Sequence, residues 1–98
     1  MDKLSFLQTY NAMRIFLDMY YQQTKSEDVG GLLGGLQLCT DIPNWENNLT
    51  TWDEAAWQDW MDGIQKTMLD HQIIANPESL TYSKELAYDC MKNYLKLF

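Results

Sequence analysis

The side chains with chemistry to offer are carboxylates. Between Ser26 and Gln65 stand Glu27, Asp28, Asp41, Glu46, Asp53, Glu54, Asp59 and Asp62, with no Lys or Arg among them. Acids and bases nearly balance elsewhere, so the formal net charge of −7 originates in the middle of the chain. Paired acids invite general acid/base work such as glycoside hydrolysis, which needs two carboxyl groups about 5–10 Å apart across a cleft. No spacing here supplies a cleft, and a solvated acidic face explains the same residues with fewer assumptions. Clustered carboxylates also suggest calcium, but the twelve-residue ligand pattern with its central Gly and final Glu is missing. His71 is the only histidine. It has no nucleophile and no further metal ligands at a recognisable spacing, and is read as a helix-end or exposed side chain. Cys39 and Cys90 fit neither a disulfide framework nor a zinc site, so both read as free thiols, with Cys90 in the core. No catalytic, cofactor-binding or metal-binding residue is assigned, and no enzyme activity is expected.

The charge pattern narrows the partners instead. A surface that binds nucleic acid must be basic, and an anionic membrane repels carboxylates. A concentrated negative field speeds the approach of a basic protein. The start of the chain has no basic stretch followed by an apolar run, and no apolar stretch reaches the roughly 20 residues needed to cross a bilayer. The expectation is a soluble cytoplasmic protein, for which the Asn48-Leu49-Thr50 glycosylation pattern has no meaning.

Helices must position these residues. Phe6, Tyr10, Met13, Leu17 and Tyr20 step by three and four from Leu4 to about Gln23, and Leu7, Phe16 and Met19 widen that apolar stripe. Arg14 and Asp18 have the spacing of a helical ion pair. Ser26 is an N-cap for a short glycine-rich helix, with Glu27 and Asp28 in its first turn. Four glycines there, Gly30, Gly31, Gly34 and Gly35, fall in pairs four apart and suggest close backbone contact, while Leu32, Leu33 and Leu36 hold the core. A phosphate loop is excluded by the missing Gly-Lys-Ser/Thr ending and the acids leading in. Gln37 to Thr50 is irregular, with Trp45 as an anchor or contact residue and Ile42 and Leu49 tucking it down. Thr51 and Glu54 have capping-box spacing at the start of the next helix. Trp57, Trp60, Met61, Ile64 and Met68 form its buried face to about Leu69, Asp59 and Asp62 point to water, and Gly63 admits a neighbouring helix. A last helix runs from about Tyr82 to Leu97, with Leu86, Cys90, Tyr94 and Leu97 on one stripe and Ala87, Met91, Leu95 and Phe98 beside it.

No alternation signals a strand. The expected fold is all-α, a compact bundle of three long helices and one short glycine-rich helix in a single domain over 1–98. Two functional readings differ in class. In the first, Glu27, Asp28, Asp41, Trp45, Glu46, Trp52, Asp59 and Asp62 form an acidic, tryptophan-bearing surface that docks on a basic protein such as a nuclease, whose groove is cationic. In the second, the acids only confer solubility on a structural or oligomerising module, and homo-oligomerisation stays open.

At Ala12-Met13-Arg14-Ile15-Phe16-Leu17, at Ser26-Glu27-Asp28-Val29-Gly30-Gly31-Leu32-Leu33-Gly34-Gly35-Leu36 and at Trp57-Gln58-Asp59-Trp60, the chain resembles small bacterial immunity proteins of contact-dependent growth inhibition and related polymorphic toxin systems. The likeness covers about residues 5–65. It implies a non-enzymatic cytoplasmic inhibitor that binds and neutralises a toxin C-terminal domain, often a nuclease. The fourth helix departs from the family's pattern, so the resemblance implies nothing about partner contacts at that end.

Overall fold

The computed structural model describes residues 3–96, so Leu97 and Phe98 of the expected last stripe lie outside the described residues. The chain is mostly helical: α1 spans Phe6–Thr24, α2 Glu27–Gly35, α3 Glu54–Asp70 and α4 Lys84–Leu95. A 3-10 turn covers Trp45–Asn47. The expectation of helix alone needs one correction. Lys3–Leu4 (β1) pairs antiparallel with Tyr82–Ser83 (β2), Leu4 opposite Tyr82. A two-residue strand is too short to show the alternation that identifies strands in a sequence.

Helix starts follow from hydrogen-bonding side chains. The capping box expected at Thr51 and Glu54 sits instead at the head of α1. Ser5 Oγ accepts from the Gln8 amide at 3.1 Å, and Gln8 Oε1 accepts from the Ser5 amide at 2.9 Å. At α3, Asp53 Oδ1 accepts from the Ala55 amide at 3.1 Å, and the Thr51 hydroxyl donates to the Asp53 carbonyl. Asp53 therefore caps this helix and Thr51 braces the cap. Ser26 and Ser83 cap α2 and α4 through the amides of Val29 and Leu86. At its exit, α3 closes with the Gln72 amide on the Leu69 carbonyl (3.1 Å) and the Ile73 amide on the Met68 carbonyl (2.8 Å). This paired arrangement requires a left-handed residue at Gln72, whose φ is 57°.

The chain divides into two units, Met1–Met13 with Asp59–Phe98, and Arg14–Gln58. In the first, Trp60 is fully buried and meets Tyr10 and Tyr94 edge-on, with ring centroids 5.7 and 5.6 Å away. Such pairs add about 0.5–1.5 kcal/mol beyond area burial. At Gly63, α3 packs directly on the backbone of α4: a Cβ there would lie 2.9 Å from the Tyr94 Cα. One turn on, the buried Thr67 hydroxyl donates to the Gly63 carbonyl and accepts from Asn93 Nδ2, both at 2.8 Å. A further turn on, His71 Nε2 lies 2.9 Å from Asp89 Oδ2. Residues ascending α3 thus meet residues descending α4, an antiparallel seam.

In the second unit the core is Leu17, Leu36, Leu38 and Ala56, with Thr51 buried beside them. The glycines of α2 do not act as a set. A Cβ on Gly30 would meet the Tyr21 ring at 2.9 Å and one on Gly35 would meet Asp53, whereas Gly31 and Gly34 face open space. The close contact expected along the whole pair pattern therefore exists at Gly30 and Gly35 only.

Candidate functional site

In the second unit, Leu38 bridges Thr51, the Cys39 amide donates to the Thr50 carbonyl at 2.9 Å, and the Trp52 amide donates to the Gln37 carbonyl at 3.1 Å. These bonds close residues 39–50 into a loop and place Trp52 at its foot. Asp41, Trp45 and Glu46 ride on the loop. Asn44, left-handed at φ 58°, turns the chain into the 3-10 turn that carries Trp45 and Glu46. Glu27 and Asp28 stand at the other end of α2, about 12 Å away along its axis at 1.5 Å per residue.

Six of the eight predicted partner-binding residues thus lie in this unit: Glu27, Asp28, Asp41, Trp45, Glu46 and Trp52. Asp59 and Asp62 belong to the other unit. Asp62 is exposed, but Asp59 is half-buried, which corrects the expectation that it points fully to water. Burial is the main reason that the neighbouring Tyr94 hydroxyl holds its proton more tightly than usual, and the charges of Tyr10 and Asp59 add to it.

The acids of the second unit are exposed. Among the described residues, no ion pair engages Glu27, Asp28, Asp41, Glu46, Asp53 or Glu54. Trp52 leaves 57% of its surface in water and Ile42 leaves 41%. An exposed indole costs solvation that a partner surface recovers, and tryptophan is among the side chains most often found at the energetic centre of interfaces. Trp45 is half-buried in the 3-10 turn.

Sequence periodicity missed a second exposed group. Ile15, Phe16, Met19 and Tyr20, expected mostly in the core stripe of α1, are between 46% and 61% exposed. At about 100° per residue they cover a band of roughly 140°, turned away from buried Leu17. The signal was present: Tyr10, Met13 and Leu17 complete a narrow stripe, and four more large apolar residues exceed what one helix face can bury.

Elsewhere the chemistry is structural. In the first unit, Lys66 pairs with Asp70 at 2.7 Å and holds its carboxyl below the usual range, while Lys92 approaches Asp89 at 3.9 Å. Cys39 and Cys90 are both free thiols. Burial pushes the Cys90 thiol up to about 11, with the Asp89 charge adding and a hydrogen bond to Thr67 opposing. A shallow hollow of about 300 Å³ lies against Gln65, Met68, Leu69, Ile73, Ala75 and Pro77, a lining with no titratable group. Among the described residues no His, Cys, Asp and Glu side chains gather in a group fit to hold a metal ion. No described helix is long and apolar enough to cross a membrane. No protein-family model matches the chain, and it matches no curated protein and no solved structure.

Proposed function

We propose that the chain is an immunity protein, a cytoplasmic inhibitor that binds a basic toxin domain of the nuclease kind and neutralises it by occupying its cationic surface. The observation that carries this reading is Trp52, an exposed indole at the foot of a pinned loop, in a unit whose carboxylates lack cationic partners. Desolvating that ring supplies affinity, and Asp41 and Glu46 on the loop supply steering and orientation. Carboxylates with no internal ion pair give up only their hydration when they meet Lys or Arg, whereas an acid already paired must also break its own contact. Glu27 and Asp28 extend the negative surface along α2. Asp59 and Asp62 remain candidates on the other unit.

The test is binding to the toxin domain encoded by the neighbouring gene. The association rate should fall at least tenfold between low salt and about 0.5 M salt, where the screening length drops below 5 Å. Trp52→Ala should weaken the complex by about 2 kcal/mol or more, and Asp41→Lys with Glu46→Lys by more than about 1 kcal/mol. A salt-independent rate together with unchanged affinity in both variants would sink the proposal.

A further inference from the structure

The two carboxylates of the acidic loop are held differently. Asp41 lies on the arm that leads in, whereas Glu46 stands at the centre of the 3-10 turn Trp45–Asn47, between Asn44 and Asn48. Hydrogen bonds cross that turn on both sides of Glu46. The Asn44 carbonyl accepts from the Asn47 amide at 3.0 Å and from Asn48 Nδ2 at 3.1 Å, and the Trp45 carbonyl accepts from the Asn48 amide at 3.0 Å. Asn44 contributes by conformation: its side chain makes no cap, but its backbone is left-handed at φ 58° and ψ 35°. Asparagine adopts that geometry more readily than other side chains except glycine. Asn44, Asn47 and Asn48 are all exposed, so the bonds among them serve no buried core.

We infer that Asn44 and Asn48 are positioning residues for the inhibitory surface: they fix the backbone that carries Glu46 before the partner arrives. This rests on the inhibitor reading above and adds to it a division of labour within the loop. A segment already in its bound shape gives up less freedom on association, and a segment that visits that shape only part of the time binds more weakly in proportion. Glu46 therefore meets its cation from a fixed turn. Asp41, outside the turn, contributes through charge without depending on either asparagine.

Hydrogen exchange on the free chain and binding to the toxin domain encoded by the neighbouring gene test this together. In the free protein the Asn47 and Asn48 amides should be protected from exchange, and Asn48→Ala should speed both by about threefold or more. Asn48→Ala should weaken the toxin complex by about three- to tenfold, the loss of one hydrogen bond. In a Glu46→Gln background the same substitution should cost less than about twofold, and in an Asp41→Asn background it should keep its full effect. Asn44→Val, whose branched side chain resists a left-handed φ, should weaken binding by about threefold or more, whereas Asn44→Gly should bind within about twofold of wild type. An equal effect of Asn48→Ala in all three backgrounds makes the asparagines merely structural and overturns the inference while leaving the inhibitor reading in place. Asn47 and Asn48 amides that exchange at the open-chain rate in wild-type protein overturn it too. Wild-type protein that binds no toxin domain sinks the inhibitor reading itself, and this inference with it.

Discussion

In the first unit Trp60 is wholly enclosed between two tyrosines; in the second Trp52 leaves 57% of its surface in water. Charge divides the same way. Lys66, Lys92 and His71 stand beside Asp70 and Asp89, whereas the second unit has only Arg14 and Lys25 against Asp18, Glu27, Asp28, Asp41, Glu46, Asp53 and Glu54. Exposed ion pairs of the first kind add little stability, commonly below 1 kcal/mol, but they cancel local potential. Aromatic and charged residues thus complete an internal seam in one region and are left outward in the other. The lesson is that composition alone does not reveal a binding face; the state of satisfaction of each group does.

The glycines offer the sharpest way to break that contrast. Gly63→Ala should destabilise the protein by about 1–3 kcal/mol, because the new methyl meets the Tyr94 backbone and α4 must yield. Gly34→Ala in α2 meets nothing and should stabilise by about 0.5–1 kcal/mol through lower chain entropy in the unfolded state. Urea denaturation midpoints measure both, and equal signs would erase the distinction. The first unit should also be sensitive to alkali. An unfolded thiol ionises near its ordinary value of 9 while folded Cys90 keeps its proton to about 11. Between those values the unfolded chain binds fewer protons, so stability is fully present below about pH 9 and is lost as pH rises towards 11. Cys90→Ala should flatten the denaturation midpoint against pH across that window; an unchanged slope would clear the thiol of responsibility.

The smallest effects concern helix exits. Gln72 and Lys25 are left-handed at φ 57° and 54° without being glycine. Gln72→Gly should stabilise by about 0.5–1 kcal/mol. Lys25→Gly should gain less, because Lys25 hydrogen-bonds Gln22 at 3.1 Å and lies over the Tyr21 ring. Thermal melts of the two variants should rank in that order.

Much of this architecture was legible in the residues. Tyr10, Met13 and Leu17 are buried as their spacing required, Trp60, Ile64 and Met68 line the inner face of α3, and Ser26 caps α2. Local rules failed where two candidates competed nearby. Thr51 and Asp53 are both good caps, and only the backbone path showed that Asp53 holds the amide. Ser5 and Gln8 form a capping box at the head of α1, but an apolar pattern read as starting at Leu4 places Ser5 inside the helix instead of at its cap. Gly34 and Gly63 could not be ranked because a glycine's value depends on what a distant segment places against it. At the candidate site, residue type pointed to Trp52, Asp41 and Glu46, but the bonds from Gln37 and Cys39 that pin their loop join backbone atoms that carry no sequence signature. The outward band on α1 was hidden by the same periodicity that marks a core.

The enclosure of Trp60 and the exposure of Trp52 also make the molecule an optical instrument. An indole packed among rings and lacking an acceptor for its Nε1 hydrogen emits at shorter wavelength than one bathed in water. The blue edge of the intrinsic fluorescence is therefore weighted towards Trp60 and the red edge towards Trp52, with half-buried Trp45 and Trp57 between them. A neutral quencher should reach Trp52 more readily than Trp60.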